Sequence, residues 1–430
     1  MHYLLFTLFF VLFTSRVLGF DLSLAPGLSV KNGFLYLIFF ALAVETALTR
    51  RRKLELLSVI TPFVIYVGYA IFSWVVILLV MKYPGYSPIR TAMTLKAGPI
   101  ENLMVLLIFF YGVSDAQRAI WLLRSIVWLV IVGNVVTVID MLNIPDLGLI
   151  GEKSDEAGRT VGPIGNANEY ASFLALFLPG IAVIYWNASG FKKLLAGIGG
   201  FLSGIAFLMA VSRGAVVGLL VGGVVGAIYL RDNIPPRILM RAAFAILLLS
   251  VVVVIGAFAV GYGDLLIHRF GILESSGYEA SSGRTMIWGR ALDKMLDYPV
   301  SFATGFGWYA YESSRNFTFA THNSYLNILF NLGMIGVSLF GLIAANVLRV
   351  ARIGLRRASS ESRSWLIALV FGFLALLVSI FFGELHQPWL YIWAYVGITL
   401  RLAIAETGNQ PADTRRASIR VAKKIDTAPI

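Results

Sequence analysis

The sequence of 430 residues contains no cysteine and only four histidines, and charged side chains make up just 13% of it. The lack of cysteine excludes disulfide frameworks, thiolate nucleophiles and Cys-ligated metal or iron–sulfur centres. The charged share is about half that of ordinary soluble domains. A water-soluble enzyme of this size could not cover its surface with so few charges, and a disordered chain would not be so apolar. No Gly-Lys-Ser/Thr phosphate loop is present, which argues against ATP-driven chemistry in cis, and the His and carboxylate spacings match no metal motif. What the chain has instead is 58% hydrophobic residues, many in runs long enough to span a bilayer core of about 30 Å.

Twelve segments read as spans: 2–15, 33–48, 57–80, 100–113, 119–142, 168–186, 194–211, 214–230, 241–261, 324–348, 364–382 and 388–405. The first lacks a basic flank and a clean small-residue cleavage site, so it reads as a retained helix rather than a signal peptide. With the N-terminus cytoplasmic, 22 of the 35 Lys and Arg residues fall in inside segments, including 49–55, Lys192-Lys193 and the 349–363 loop. That bias sets the orientation and puts both termini in the cytoplasm. It also accounts for the net charge of +12 without invoking nucleic acid. The expected organisation is a transmembrane domain over 1–405, containing a 262–323 outer loop, and a disordered basic cytoplasmic tail over 406–430. Gly214, Gly218, Gly222 and Gly226 share one helix face and read as a close-packing ladder.

The chemistry-bearing residues gather on the outer side. Arg213 interrupts two apolar runs in LMAVSRGAVVG. A charge near bilayer depth is costly, so it faces a wet cavity, a partner or a helix end, and a guanidinium suits phosphate by bidentate bonding. Arg284 lies in SSGRTMIWGRALDKML, in the first turn expected after Gly283, where a helix N-terminus attracts anions. Arg290, six residues on, need not share its face and could pair with Asp293 or Asp297. His322 and Asn323, in THNSYLNILFNLGMIG, stand at the outer mouth of a span. His322 is a candidate general base, with a capping role as the structural alternative. Glu384 and His386, in GELHQP, suit sugar binding, acid–base assistance or simply a polar turn.

The stretch from SGRTMIWGRALDKMLDYPVSFATGFGWYAY to THNSYLNILFNLGMIG resembles the signature region of the O-antigen ligase and polymerase superfamily. VSRGA at 211–215 and GPIGNANEYA at 162–171 resemble two earlier motifs of that family, with Ala167 where proline is common. The matches run from about 160 to 340. The resemblance implies an all-α polytopic membrane protein of about 12 transmembrane helices, with a class C-like glycosyltransferase fold and a helical periplasmic catalytic loop. It implies a bacterial inner-membrane enzyme that takes a glycan from undecaprenyl diphosphate and transfers it on the periplasmic face to a lipid A-core or other glycan acceptor. No metal, cofactor or nucleic acid is expected.

On that resemblance, Arg213 and Arg284 bind the diphosphate leaving group and His322 deprotonates or orients the acceptor hydroxyl. Arg290, Asn166, Asn168, Glu169, Asn323, Glu384 and His386 become candidates for substrate binding, and Arg159 is left unassigned. The same motifs serve a repeat-unit polymerase of O-antigen or exopolysaccharide. A protein O-oligosaccharyltransferase is a further variant within the class. Outside the class, a secondary transporter or flippase would favour two similar halves with polar sites at the midplane. Here the halves look unlike, and the polar residues cluster at one mouth.

Overall fold

The computed structural model describes residues 1–25, 27–49, 57–83, 85–142, 158–237, 283–313, 317, 319–385 and 389–408, with isolated positions between 240 and 267. Helices α1 (His2–Thr14) and α2 (Val30–Thr49) are joined through a small antiparallel hairpin, β1 (Ser23–Ala25) and β2 (Leu28–Ser29). Then follow α3 (Leu57–Val76), α4 (Pro88–Leu95), α5 (Glu101–Gly112), α6 (Ala116–Met141), α7 (Ala167–Asn187), α8 (Gly190–Met209) and α9 (Arg213–Tyr229). The segment beyond residue 283 forms α10 (Arg284–Asp297) and two short turns of helix, α11 (Val300–Thr304) and α12 (Ala310–Ser313). Three long helices close the bundle: α13 (Ser324–Leu355), α14 (Ser360–Ser379) and α15 (Trp389–Gly408).

Eleven of the twelve expected segments coincide with helices among the described residues. Most of 241–261 lies outside them, as do the tail from 409 onward, His386 and residues 268–282. Among the described residues, eight helices are long and apolar enough to cross a membrane, while α1 and α9 are apolar but shorter. The chain is thus a multi-pass membrane protein. The fourth expected segment starts earlier than hydropathy suggested. Helical structure begins at Pro88, capped by Ser87, whose side chain accepts from Arg90 N, and passes through a widened turn at Lys96–Ile100. The polar residues of α4 and the Gly98-Pro99 break hid that first half from an apolar-run search.

Helix α15 explains how the bundle is centred. Its residues from Leu390 to Val396 are buried on every face, the mark of a helix surrounded by others rather than by lipid. It packs on α5, α6 and α13. The α1 helix joins the same core, with Phe13 stacked on Phe173 (5.6 Å between centroids) and edge-on to Tyr391. The glycine ladder of α9 lies against α14: a Cβ on Gly222 would stand 2.5 Å from Ala375 Cα, and one on Gly218 would stand 2.6 Å from Ala375 O. Only glycine permits that approach.

The connections separate into two sets. At one end, Arg401 donates to the Val113 and Ser114 carbonyls, Arg124 pairs with Glu361, and Arg352 pairs with Asp232 (3.2 Å). At the other end, the α8–α9 turn, the approach to α7, the 283–323 segment and the α14–α15 connection meet.

Candidate active site

The α14–α15 connection, residues 380–385, brings the site segments together. Gly214, next to Arg213, faces Phe382: a Cβ there would stand 3.0 Å from Phe382 Cγ. Phe382 contacts Phe381 (5.2 Å), and Phe381 meets the Trp288 ring edge-on at 5.5 Å. Arg284 and Trp288 are four residues apart on α10 and therefore share a face. Trp288 Nε1 donates to the Thr321 carbonyl at 2.8 Å, which fixes α10 beside His322. Ser324 N donates to the carbonyls of Ile380 (2.9 Å) and Gly383 (3.2 Å), tying the start of α13 to the same turn. A Cβ on Gly383 would stand 4.0 Å from Asn168 Cβ. Asn168 Oδ1 in turn accepts from Arg159 Nη1 at 3.4 Å, and Thr160 N donates to Met209 O at 3.0 Å. The segments carrying Arg159, Asn168, Arg213, Arg284 and His322 thus converge on one short connection. Arg213, Arg284 and His322 are all half-buried.

Backbone conformation marks the same place. Among the described residues, four non-glycine residues have positive φ: Lys82, Val211, Tyr309 and His322. Val211 (φ 43°) precedes Arg213 by two residues, and His322 sits at φ 48°. For a β-branched valine this is a genuine outlier, and such strain gathers at functional sites.

Two of the polar candidates are employed in capping. Asn166 is the exposed N-cap of α7, its Oδ1 accepting from Asn168 N (3.0 Å) and Glu169 N (3.1 Å). Asn323, not His322, caps α13, accepting from Leu326 N at 3.0 Å. Gly283 stands at the N-cap of α10 with φ 73°, so Arg284 opens that helix as the sequence suggested. Glu169 is buried at the first turn of α7. Arg290 is exposed and stands apart from Arg284, and Asp297, one of its expected partners, pairs with Lys294 instead.

A cavity of about 670 Å³ adjoins the 380–385 connection: Glu384 and Leu385 of that connection line it, as does Ser324, which is bonded to it. On its wall Asn327 Nδ2 donates to Glu312 Oε1 and reaches Glu384 Oε1 at 3.5 Å. Asn331 Nδ2 donates to Asn327 Oδ1 (2.9 Å), and Asn331 Oδ1 accepts from Tyr311 N (2.9 Å). Burial pushes the Tyr311 phenol up to about 12, with the Glu384 and Glu312 charges adding to the effect. Tyr309 is raised by burial and by Glu312, against the lowering effect of Arg90. Both phenols are therefore neutral donors at physiological pH. Sequence reading missed Glu312, Asn327 and Asn331, although two asparagines four residues apart in an apolar helix were a legible signal.

The loop above the cavity is held by a break in α13. Gly333 adopts φ 64°, ψ −168°, which interrupts the helical ladder. The carbonyls of Phe330 and Asn331 accept instead from Phe306 N and Gly307 N, both at 2.8 Å. Gly305 and Gly333 pack so closely that a Cβ on Gly333 would stand 2.5 Å from Gly305 N. Among the described residues, no group of three or more His, Asp or Glu side chains comes together as a metal site.

A search among curated proteins finds no match to the chain. The sequence profile of the O-antigen ligases matches residues 198–341, which include Arg213, Arg284, His322 and the Gly333 break. The motif around Asn166–Glu169 and the Glu384 turn lie outside the matched range. The segment that carries the two arginines, the histidine and the strained turns is thus similar to the O-antigen ligases over residues 198–341, about a third of a multi-pass helical membrane protein.

Proposed function

We propose that the chain is a metal-independent glycosyltransferase that moves a polysaccharide from undecaprenyl diphosphate to a sugar hydroxyl of lipid A-core, at the periplasmic face of the bacterial inner membrane. The observation that carries this reading is the convergence of the Arg213, Arg284 and His322 segments on the 380–385 connection, at the helix ends opposite Lys192-Lys193 and the 349–363 connection.

Leaving-group charge grows as the glycosidic bond breaks. Two guanidinium groups at the diphosphate stabilise that charge more in the transition state than in the ground state. His322, held at the N-terminal mouth of α13, takes the proton from the acceptor hydroxyl or orients it, and attack from the face opposite the leaving group inverts the anomeric centre. Trp288 positions Arg284 and His322 relative to one another through its bond to Thr321 O.

Deleting the gene and separating lipopolysaccharide on gels tests the reading. Loss of the polymer ladder from lipid A-core, with polymer accumulating on the lipid carrier, is the expected outcome. Single repeat units still reaching the core without a ladder would identify a repeat-unit polymerase, and unchanged glycans would refute both.

A further inference from the structure

His322 sits in the left-handed region at φ 48°, a conformation that is costly for a residue with a Cβ. Its neighbours show what holds it there. Thr321, Asn323 and Ser324 are buried, and His322 alone in that run is half-buried. The Thr321 side chain reaches across the histidine to both backbone polar groups of Asn323. Its Oγ1 accepts from Asn323 N at 3.4 Å and donates to Asn323 O at 3.1 Å.

The φ angle at His322 sets the peptide before it against the peptide after it. Thr321 O belongs to the first of these peptides and accepts from Trp288 Nε1 at 2.8 Å. Asn323 N belongs to the second and is turned onto the Thr321 hydroxyl. Thr321 therefore grips both sides of the strained residue, one through its carbonyl and the other through its side chain. A β-branched side chain is stiff at χ1, and a threonine with 0% exposure keeps its hydroxyl on that peptide. Downstream, Ser324 Oγ donates to Gly383 O at 3.0 Å, so the far end of the turn is anchored on the 380–385 connection.

We propose that the Thr321 hydroxyl is a positioning group for the transfer reaction: it locks His322 in the left-handed conformation and so aims the imidazole at the acceptor hydroxyl. The proposal rests on the role given to His322 above and adds the residue that makes that role geometrically possible. Relaxation to a φ of about −60° would turn the side chain by about 110° around the N–Cα bond. A base displaced by as little as about 1 Å costs about 10²-fold in rate.

Thr321→Val keeps the shape of the side chain and removes the hydroxyl, whereas Thr321→Ser keeps the hydroxyl. Each is purified as full-length protein in nanodiscs and assayed with the host's lipid-linked polysaccharide and its lipid A-core. Thr321→Val should lower kcat by about 10²-fold with KM for both substrates within about twofold of the parent. Thr321→Ser should return kcat to within about fivefold. Full activity of the valine variant, a loss confined to KM, or no recovery with serine overturns the proposal.

A second readout needs no activity. Glycine adopts positive φ without strain, so His322→Gly reports on the backbone at that position. Thermal midpoints of the parent, Thr321→Val, His322→Gly and the double variant form a cycle. The midpoint change caused by glycine should be more favourable with Thr321 than with valine, by at least about 2 °C. Equal changes would mean that residue 322 keeps its conformation without the hydroxyl, and would overturn the proposal. The two failures are distinguishable: transfer by the parent with additive midpoints removes the lock alone, whereas unchanged glycans on gene deletion remove the underlying function.

Discussion

Replacing Gly222 by alanine is a quantitative test of how α9, and Arg213 with it, is seated. A methyl group there would stand 2.5 Å from Ala375 Cα and 2.8 Å from the Leu374 carbonyl carbon. Carbon atoms rest at about 3.5–4.0 Å, so α9 must retreat by about 1 Å. The obstructing atoms are backbone, so no rotamer change relieves the clash. Gly214, Gly218 and Gly226 pack on α14 and its outer connection along the same face, so a retreat loosens the whole seam. Overpacking of this kind costs about 1–3 kcal/mol.

Gly223, one residue on, has nothing within 4 Å of its Cβ position. Gly223→Ala should therefore be neutral, or stabilising by up to about 1 kcal/mol from helix propensity. Thermal unfolding in detergent, followed by intrinsic tryptophan fluorescence, should show a lower midpoint for Gly222→Ala only. Transfer activity should fall with it, because Arg213 shifts relative to Phe382. Equal midpoints for the two variants would refute the face-to-face packing of α9 and α14 and the placement of Arg213 derived from it.

Further outcomes follow from the site. Arg284→Ala, at normal membrane levels, should lower transfer by about 10²–10³-fold, as for loss of one transition-state donor; Arg284→Lys should recover only part, since an ammonium cannot bond bidentately. His322→Ala should abolish transfer with little change in thermal midpoint, and full activity in either alanine variant would refute the assigned roles. Gly333→Ala should be destabilising by more than about 2 kcal/mol, because its φ 64°, ψ −168° conformation is closed to alanine and Ala303 C would stand 2.5 Å from the new methyl; a wild-type melting curve would contradict the break in α13. The Tyr311 phenol, raised from 10.0 to about 12, contributes stability that is intact below pH 10 and is lost as pH rises from 10 through 12, since the unfolded chain ionises first. The thermal midpoint should fall less steeply above pH 10 in Tyr311→Phe than in the parent protein, and parallel curves would contradict the burial of that hydroxyl.

Much was legible in the residues themselves. Apolar runs of bilayer length located most of the helices, because in hydrocarbon the backbone must satisfy its own hydrogen bonds and a helix is the way a single segment does so. Four-residue glycine spacing announced a close helix pair, and Ser-Arg-Gly, Gly-Arg and His-Asn at helix mouths marked the candidate chemistry. The first half of the α4–α5 segment was not legible: Arg90, Lys96, Gly98 and Pro99 break the apolar signal, although helical structure continues from Pro88 to Gly112.

Sequence alone could not say which polar residues are occupied in holding the backbone. Asn166 and Asn323, candidates for substrate binding, also cap α7 and α13, a role that depends on where each helix begins. Only the tertiary structure decided that segments 165 residues apart, around Arg159 and Ser324, meet on the 380–385 connection. It alone set Glu312, Asn327 and Glu384 together across a cavity. Periodicity records which face of a helix is apolar. It carries no record of which helix lies opposite, and that pairing is fixed by the shapes of the packed surfaces, such as a row of glycines that admits another backbone and a Gly333 break that hands two carbonyls to a distant loop.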